Sequence, residues 1–295
     1  MHYSDQDIQS TEELHVREIN VSLIADAVAE MCVEVNEKLS PDVEKALHEA
    51  ADSETQPTPK MVLTTLEENL EIARTEHIPI CQDTGMAIVF LEIGQDVHLT
   101  GGDLTEAVNA GVAKGYTEGY LRASVVGDPL ERVNTKDNTP AIIHTSIVPG
   151  EKVRITVAPK GAGSENMSRM AMLKPADGAE GVRDFVLESI RLAGPNPCPP
   201  LVVGVGIGGD FELAPLLAKK ALLRPLGKPA KEPHIRVMEE ELLEKARELG
   251  IGPAGLGGRN GVYAVHIETY ATHIAELPVA VNICCHVNRH ITREI

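Results

Sequence analysis

Apolar residues recur at steps of three and four along the first part of the chain, which predicts amphipathic helices. The first stripe is formed by Val21, Ile24, Val28, Met31 and Val35. Ser40-Pro41 is typical of an N-cap followed by proline at the first helical position, so a second helix is expected to begin there. A third stripe is formed by Val62, Leu66, Leu70 and Ala73. We therefore expect a helical cluster over about residues 18–77, preceded by a polar N-terminal segment, 1–17.

From Pro79 onward, short apolar runs alternate with helical patterns. The runs that predict strands are 87–93, 140–147, 152–158, 201–205, 262–268 and 279–283. The patterns that predict helices are 103–119, 177–194, 212–223 and 237–249, the first of them opened by a capping box at Asp103. The predicted fold class is mixed α/β, with the helical cluster followed by an α/β body that contains a mixed sheet at about 78–295. Residues 18–295 are expected to form one functional domain.

Charge narrows the range of partners. The chain has 27 Lys and Arg against 44 Asp and Glu, a formal net charge of −17, and this excludes a general nucleic-acid binder because phosphate contacts need clustered cations. Small anionic substrates remain possible, since they need only a local pocket. No apolar run approaches the length of a membrane span, and the first residues have no basic and apolar signal pattern. We expect a cytoplasmic protein with no membrane partner.

Three of the five cysteines lie beside turn or loop chemistry. Cys81 begins Cys81-Gln82-Asp83-Thr84-Gly85, which offers a thiol, an amide, a carboxyl group and a hydroxyl in a row but which also fits an ordinary turn. Cys198 lies between prolines in Asn196-Pro197-Cys198-Pro199-Pro200, which suits either a rigidly presented ligand or a polyproline connector.

Cys284 and Cys285 end a predicted strand and precede His286. Strand alternation predicts that their sulfurs point to opposite faces, so at most one of them is expected to face a given site, and both also fit a plain core strand. Three thiolates that converge by folding would leave one position of a metal group open, which is typical of a catalytic site, and an all-thiolate site favours iron–sulfur.

Two glycine segments follow predicted strands. Lys160-Gly161-Ala162-Gly163-Ser164-Glu165-Asn166 is expected either to bring backbone N–H groups close to an anion or to form a flexible turn. Gly204-Val205-Gly206-Ile207-Gly208-Gly209 matches a dinucleotide-binding pattern, but it comes late in the chain and lacks the acidic residue at the usual offset. A nucleotide-dependent oxidoreductase is thus an alternative of another class, and a scaffold with incidental cysteines is a third.

Five motifs occur in the order of a known family. They are Cys81-Gln82-Asp83-Thr84-Gly85, Lys160-Gly161-Ala162-Gly163-Ser164-Glu165-Asn166, Asn196-Pro197-Cys198-Pro199-Pro200, Val205-Gly206-Ile207-Gly208-Gly209 and Leu277-Pro278-Val279-Ala280-Val281-Asn282. Together they resemble the class I (iron–sulfur) fumarate hydratase α subunit, and the L-tartrate dehydratase α subunit has the same plan. The resemblance covers roughly residue 20 to the C-terminus. Each motif is weak alone, and the ordered set is specific at family level.

The resemblance implies a [4Fe–4S] cluster held by Cys81, Cys198 and Cys285, with one iron not bound by cysteine. Cys285 is chosen over Cys284 because the family's third ligand directly precedes an aromatic residue or His. Asp83 is the implied catalytic acid. The positions implied to bind substrate are Gln82, Arg122, Gly161, Gly163 and His273. Ala162 departs from the glycine that many members carry there, which weakens the assignment of the anion loop.

The implied reaction is the reversible hydration of fumarate to (S)-malate, a step of the tricarboxylic acid cycle, with L(+)-tartrate dehydration as the alternative. The family's catalytic base and further cationic clamps come from a second domain or a separate β subunit. This sequence ends ten residues after Cys285, so we expect a separate fumarase-type β subunit, an assembly of two α and two β subunits, and negligible activity of this chain alone.

Overall fold

The structure is a computed structural model that describes residues 16–295. The predicted polar segment 1–17 therefore lies, except for its last two residues, outside the described part of the chain. The chain divides into two compact units. Unit 1 comprises the described residues up to Cys32 together with Ala87–Val157 and Thr292–Ile295, and unit 2 comprises Val33–Met86 and Ala158–Ile291.

The chain contains both helices and strands, in mixed sheets, which confirms the predicted mixed α/β class. The helices are α1 (Val21–Glu37), α2 (Pro41–Ser53), α3 (Pro57–Glu76), α4 (Leu104–Glu118), α5 (Ala162–Glu165), α6 (Gly178–Ala193), α7 (Leu213–Ala221) and α8 (Pro233–Glu248). The strands are β1 (Arg17–Asn20), β2 (Ile88–Gly94), β3 (Val97–Thr100), β4 (Ile142–Val148), β5 (Val153–Val157), β6 (Arg169–Leu173), β7 (Leu201–Gly209), β8 (Val262–Thr272), β9 (Leu277–Cys284) and β10 (Ile291–Glu294). Among the described residues, no helix has the length and apolar character needed to cross a membrane.

Local sequence explains where several helices begin. The side chain of Asp103 caps α4 by accepting a hydrogen bond from the Glu106 N–H at 2.8 Å, as the capping box predicts. Ser40 is the N-cap residue of α2, but its side chain makes no capping bond, so the start of this helix depends on Pro41 at the first helical position. The apolar stripe of α1 is buried along its whole length.

Unit 1 is built on a four-stranded sheet with the order β10-β5-β2-β4. Its central strand β2 pairs antiparallel with β5 and parallel with β4. Val153, Ile155 and Val157 of β5 are buried, while Arg154 is exposed, so one face of this strand is buried and the other is accessible to solvent. A second, two-stranded sheet pairs β1 with β3 in parallel.

Close helix packing in unit 1 depends on two glycines of α4. A Cβ atom at Gly111 would lie 2.4 Å from the Ala25 carbonyl oxygen of α1, and one at Gly115 would lie 2.6 Å from the Ala29 carbonyl oxygen. The two helix backbones can approach this closely only because both positions lack a side chain.

Unit 2 is built on a four-stranded sheet with the order β6-β9-β7-β8. Strand β7 pairs parallel with β8 and antiparallel with β9. Leu201, Val203 and Val205 face a core that also contains α6 and α8. Val202 lies in a different buried cluster with Leu222, on the face that α7 covers. Because both faces are covered, β7 is apolar throughout rather than alternating.

The strand directions place particular loops at particular ends of this sheet. Cys198 precedes β7, and Cys285 follows β9, which runs antiparallel to β7 and pairs Cys284 with Val202. These two cysteines are therefore at the same end of the sheet. The turn between β8 and β9, which contains His273, is at the opposite end.

The sequence patterns did not predict four of the short strands, β1, β3, β6 and β10. Each has only four or five residues. β6 pairs with β9 in the sheet of unit 2, and β10 pairs with β5 in unit 1. Pairing with a distant strand fixes such segments, so a local apolar pattern carries little signal for them.

Candidate active site at the cysteine end of unit 2

The loop that contains Cys81 is fastened to the glycine loop at 160–166. Met86 and Lys160 form a pair of backbone hydrogen bonds, with N···O distances of 3.1 and 2.9 Å. Gly85 has a positive φ of 76°, and a Cβ atom there would lie 2.7 Å from the backbone nitrogen of Lys160. The close approach of the two loops therefore requires glycine at this position.

Asp83 joins the two loops through its carboxylate. Its Oδ1 atom accepts a hydrogen bond from the Gly85 N–H at 3.0 Å, and its Oδ2 atom accepts one from the Ala162 N–H, also at 3.0 Å. A Cβ atom at Gly161 would lie 3.1 Å from Oδ2. Each carboxylate oxygen has a second lone pair, so Asp83 retains the capacity to bind a further donor or a proton.

Cys198 is presented from a rigid turn between prolines. Its φ is +55°, a left-handed conformation that residues other than glycine seldom adopt and that is found at functional sites more often than elsewhere. The Cys198 N–H donates to the Pro195 carbonyl at 3.2 Å, and the residue is exposed. This finding favours a positioned thiol over an incidental cysteine in a polyproline connector.

The segment after β9 brings the third cysteine to the same place. The backbone N–H of His286 donates to the Cys198 carbonyl oxygen at 3.2 Å, and the His286 Nδ1 atom lies 3.1 Å from that oxygen. Cys284 is buried against Val202 and Leu222, whereas the half-buried Cys285 packs against a separate apolar cluster. The two adjacent cysteines therefore contact different apolar clusters.

The Cys81 and Cys285 thiols are close enough to Cys198 to affect the pKa of its thiol. Desolvation raises the pKa of the Cys198 thiol, and the nearby Cys285 and Cys81 thiols raise it further. Among the residues that the structure describes, no three His, Cys, Asp or Glu side chains form a group that could hold a metal ion. The three thiols are thus near one another without forming a compact site for a single ion such as Zn²⁺, which needs its ligands at about 2.0–2.3 Å from one centre.

The glycine loop lies beside both the Cys81 loop and the Cys198 segment. Residues Ala162–Glu165 form a single helical turn, α5, rather than a flexible turn. Gly163 is exposed, and a Cβ atom there would be 4.0 Å from the Asn196 carbonyl oxygen. The Ala162 N–H is engaged by Asp83, so it is not a free donor for an anion.

A network of ion pairs and hydrogen bonds connects this loop to α7 and β9. Lys160 is 6% exposed; its Nζ atom donates to the Ser164 hydroxyl at 2.7 Å and lies 3.2 Å from a carboxylate oxygen of Glu165. Glu165 also forms an ion pair with Lys219 of α7 and accepts a hydrogen bond from the Asn282 amide at 2.7 Å. Burial acts to raise the pKa of Glu165, but the two lysines outweigh it and lower that pKa.

The remaining predicted site residues have different locations. Gln82 is exposed next to Cys81, and the Cys81 thiol lies 3.5 Å from its side-chain oxygen. His273 is exposed in the turn between β8 and β9, where its Nδ1 atom accepts from the Ala275 N–H at 3.2 Å. The eight residues of β9 separate it from Cys285, which at ~3.3 Å per residue is more than about 20 Å. Arg122 is exposed and belongs to unit 1.

The glycine motif at 204–209 has a packing role. Gly204 and Gly206 are buried inside β7, and a Cβ atom on either would lie within 2.2 Å of a carbonyl oxygen of α7. A dinucleotide fingerprint instead places its glycines in the turn after the strand. The structure thus gives no support to the nucleotide-binding alternative.

Sequence reasoning assigned no role to several polar residues around this site. They are Lys160, Glu165, Lys219, Asn282 and Arg289. Arg289 is buried, and its Nη2 atom donates to the Asp83 carbonyl oxygen at 2.6 Å. Lys160 and Glu165 are part of the glycine motif itself, so their charges beside buried strands were a usable signal. Arg289 offered only its closeness in sequence to Cys285.

Comparison with known proteins places the chain in a family. The family model described as fumarate hydratase (Fumerase) matches residues 25–294. The chain therefore belongs to the fumarate hydratase (Fumerase) family of hydro-lyases, which confirms the resemblance seen in the sequence.

Several named relatives are similar to the chain over most of its length. The chain is 44% identical over 278 residues to a protein of Methanocaldococcus jannaschii provisionally named L(+)-tartrate dehydratase subunit alpha, covering 92% of this chain and 97% of that protein. It is 34% identical over 276 residues to the L(+)-tartrate dehydratase subunit alpha of Escherichia coli strain K12, covering 92% and 90% of the two chains. The protein of the same name from E. coli strain UTI89 is 33% identical over 279 residues, covering 93% and 91%.

Proposed function

We propose that this chain is the iron–sulfur α subunit of a two-subunit hydro-lyase that reversibly hydrates fumarate to (S)-malate. The observation that carries the proposal is the convergence of the Cys81, Cys198 and Cys285 segments beside the Asp83 carboxylate and the glycine loop. Membership of the fumarate hydratase family supports the reaction class.

The donor set fits a [4Fe–4S] cluster. Three thiols that influence one another, two of them only half-buried and one exposed, are suited to holding three irons, one thiolate on each. Thiolates that bind different irons stand farther apart than the ligands of one ion, which agrees with the lack of a single-ion site among the described residues. When bound, such a cluster supplies a Lewis acid through the iron that no cysteine holds.

Asp83 is suited to the role of the acid. Two backbone N–H bonds fix its carboxyl group, which leaves one lone pair on each oxygen for a proton. In the dehydration direction, Asp83 protonates the departing hydroxyl group. Arg289 and the fastened glycine loop hold the backbone of this residue in place, so the acid is positioned before substrate binds.

Gln82, Gly161 and Gly163 are suited to orienting a substrate carboxylate. The Gln82 amide is exposed beside Cys81, and the absence of side chains at Gly161 and Gly163 leaves the loop backbone accessible. We keep Arg122 and His273 as proposed substrate contacts on the strength of the resemblance alone. His273 is too far from Cys285 within one chain for both to contact one small substrate molecule.

A separate β subunit is proposed to supply the catalytic base and further cationic clamps. The relatives named above are each designated a subunit alpha, which supports a partner chain. We propose an assembly of two α and two β subunits, and we expect the α chain alone to have negligible hydratase activity. Full activity of the isolated chain would contradict this part of the proposal.

Iron and acid-labile sulfide, measured on the anaerobically purified chain, test the cluster. We expect about four of each per chain, falling sharply in Cys198→Ser. Cys32→Ala is the matched control, because Cys32 is buried in α1 and desolvation raises the pKa of its thiol to about 12. Unchanged iron in Cys198→Ser, or an absence of iron after reconstitution with the β subunit, would overturn the assignment.

L(+)-tartrate dehydration is the second candidate, because the named relatives carry that name. The two substrates differ by one hydroxyl group. The kcat/KM values of the reconstituted complex for fumarate, (S)-malate and L-tartrate decide between them. A preference for L-tartrate of tenfold or more would replace fumarate as the assigned substrate.

A further inference from the structure

Arg289 is a buried cation that no acidic side chain within residues 16–295 neutralises by an ion pair. It is 5% exposed and lies four residues after Cys285. Its Nη2 atom donates to the Asp83 carbonyl oxygen, but its Nε and Nη1 atoms are buried without a hydrogen-bond partner. None of the ion pairs found among the described residues involves Arg289.

Such an arrangement is costly unless something else binds there. A buried donor without a partner lowers the stability of the folded state, and the loss is larger when the donor is charged. Arg224 of the same unit shows the usual solution, because it is similarly buried and pairs with both Glu239 and Glu268. The unpaired donors of Arg289 therefore indicate an anionic partner other than the side chains that the structure describes.

The surroundings of Arg289 indicate which anion this is. The hydrogen bond to Asp83 ties the guanidinium group to the Cys81 loop, while its own segment carries Cys285. Arg289 thus lies between the first and third cysteine segments.

We propose that Arg289 stabilises the anionic iron–sulfur group held by Cys81, Cys198 and Cys285, by supplying a buried positive charge and N–H donors to it. The inference rests on the proposed function, because it needs the cluster. Thiolate-bound clusters carry negative charge, and hydrogen bonds to their sulfurs set their reduction potential. Arg289 is in this sense a positioning residue and not a catalytic one.

Two substitutions separate charge from structure. Arg289→Lys keeps the charge, Arg289→Met removes it, and both lose the planar set of donors. Arg247→Met is the control, because Arg247 is a half-buried arginine that donates to a backbone carbonyl, that of Val262, outside the cysteine segments. All chains are reconstituted anaerobically with iron and sulfide and compared with wild type.

Three measurements are made on each chain: iron loss to a chelator, the midpoint reduction potential, and the thermal midpoint of the iron-free form. We expect Arg289→Met to bind iron but to release it about tenfold faster, with a more negative potential. Arg289→Lys should keep a potential close to that of wild type. The iron-free Arg289→Met chain should melt no lower than wild type, since an unpaired buried cation has been removed.

A purely structural clasp on the Asp83 carbonyl predicts the reverse pattern. Arg289→Met would then lower the thermal midpoint of the iron-free chain while leaving the potential unchanged, and that result would overturn the inference. An Arg289→Met chain that matches wild type in iron release and potential would overturn it equally. A wild-type chain that binds no iron even when it is reconstituted with the β subunit would instead overturn the proposed function, and the inference with it.

Discussion

Gly204 and Gly206 of β7 and Gly161 and Gly163 of the glycine loop all lack a side chain, yet they meet different surroundings. Above β7, the backbone of α7 fills the space that a Cβ atom would need. Beside the cysteine loops, a Cβ atom at Gly163 would approach nothing closer than 4.0 Å. Glycine thus permits helix packing in one segment and leaves backbone exposed in the other, so a glycine pattern identifies a functional loop only once its neighbours are known.

Glycine-to-alanine substitution in each of the two segments tests this comparison most directly, and Gly206→Ala is the variant in β7. Gly206→Ala places a methyl group 2.0 Å from the Ala214 carbonyl oxygen, so α7 must move away from the sheet. We expect the free energy of unfolding to fall by about 3 kcal/mol or more. Urea denaturation followed by circular dichroism measures it. An unchanged midpoint would show that α7 does not pack against β7 as described.

The stability of the region around β7 should also depend on pH through His266, which pairs with Gly204 in the sheet. Burial, aided by Arg224, lowers the pKa of His266 from 6.5 to about 4, against the opposing charge of Glu239. The unfolded chain therefore takes up a proton below pH 6.5 that the folded chain resists until about pH 4, so stability falls over this interval by about 3 kcal/mol.

Urea denaturation between pH 7 and pH 4.5 tests this pH dependence. The wild-type chain should lose more stability over that range than His266→Gln does, because the variant has no imidazole to titrate. Parallel pH profiles of the two proteins would show that His266 is not held neutral in the folded state.

The stability of the glycine loop should depend on the charges of Lys160, Glu165 and Lys219 more than on added side-chain volume. Glu165→Gln leaves Lys160 and Lys219 close together without their shared carboxylate, and we expect a loss of about 2 kcal/mol, since Glu165 is partly exposed. Because the folded-state pKa of Glu165 is lowered, its contribution is present at neutral pH and is lost as pH falls through that value. The difference between the two proteins should therefore shrink in acid.

A double variant controls for this interpretation. Adding Lys219→Met to Glu165→Gln removes one of the unpaired cations, so part of the lost stability should return. Strict additivity of the two single effects, measured by urea denaturation at pH 7, would indicate that the pair does not interact.

The smallest expected effect on stability belongs to Gly163→Ala. The position is exposed and has room for a methyl group, so the free energy of unfolding should change by less than about 1 kcal/mol. If the loop binds substrate as proposed, kcat/KM of the reconstituted complex should nevertheless fall. A loss of stability as large as that of Gly206→Ala would erase the distinction between the two segments.

Local signals were sufficient for much of the fold. The α4 cap at Asp103 and the proline at the start of α2 set helix boundaries within a few residues of those predicted. Short strands such as β6 were missed because their pairing with β9 depends on tertiary structure. The glycines of β7 match a dinucleotide-binding motif in the sequence, because the sequence does not show which helix covers a strand.

The candidate site was less predictable from the sequence than the fold. The spacing of Cys81, Cys198 and Cys285 alone cannot show that they converge, and the family resemblance supplied that expectation. The structure supports their proximity and adds Arg289 and the Glu165 network, which depend on contacts across more than 100 residues of sequence. The roles of Gln82, Arg122 and His273 stay predictions.

The antiparallel pairing of β9 with β7 also determines when, during folding, the thiols of Cys81, Cys198 and Cys285 can first come together. Cys285 follows β9, the last strand of the unit 2 sheet, so its segment reaches Cys198 only after that strand has been synthesised and has paired with β7. Before that pairing, a nascent chain can contain Cys81 and Cys198 without Cys285 close to them. A group held by all three thiols, as proposed, would therefore be inserted only after β9 has paired with β7.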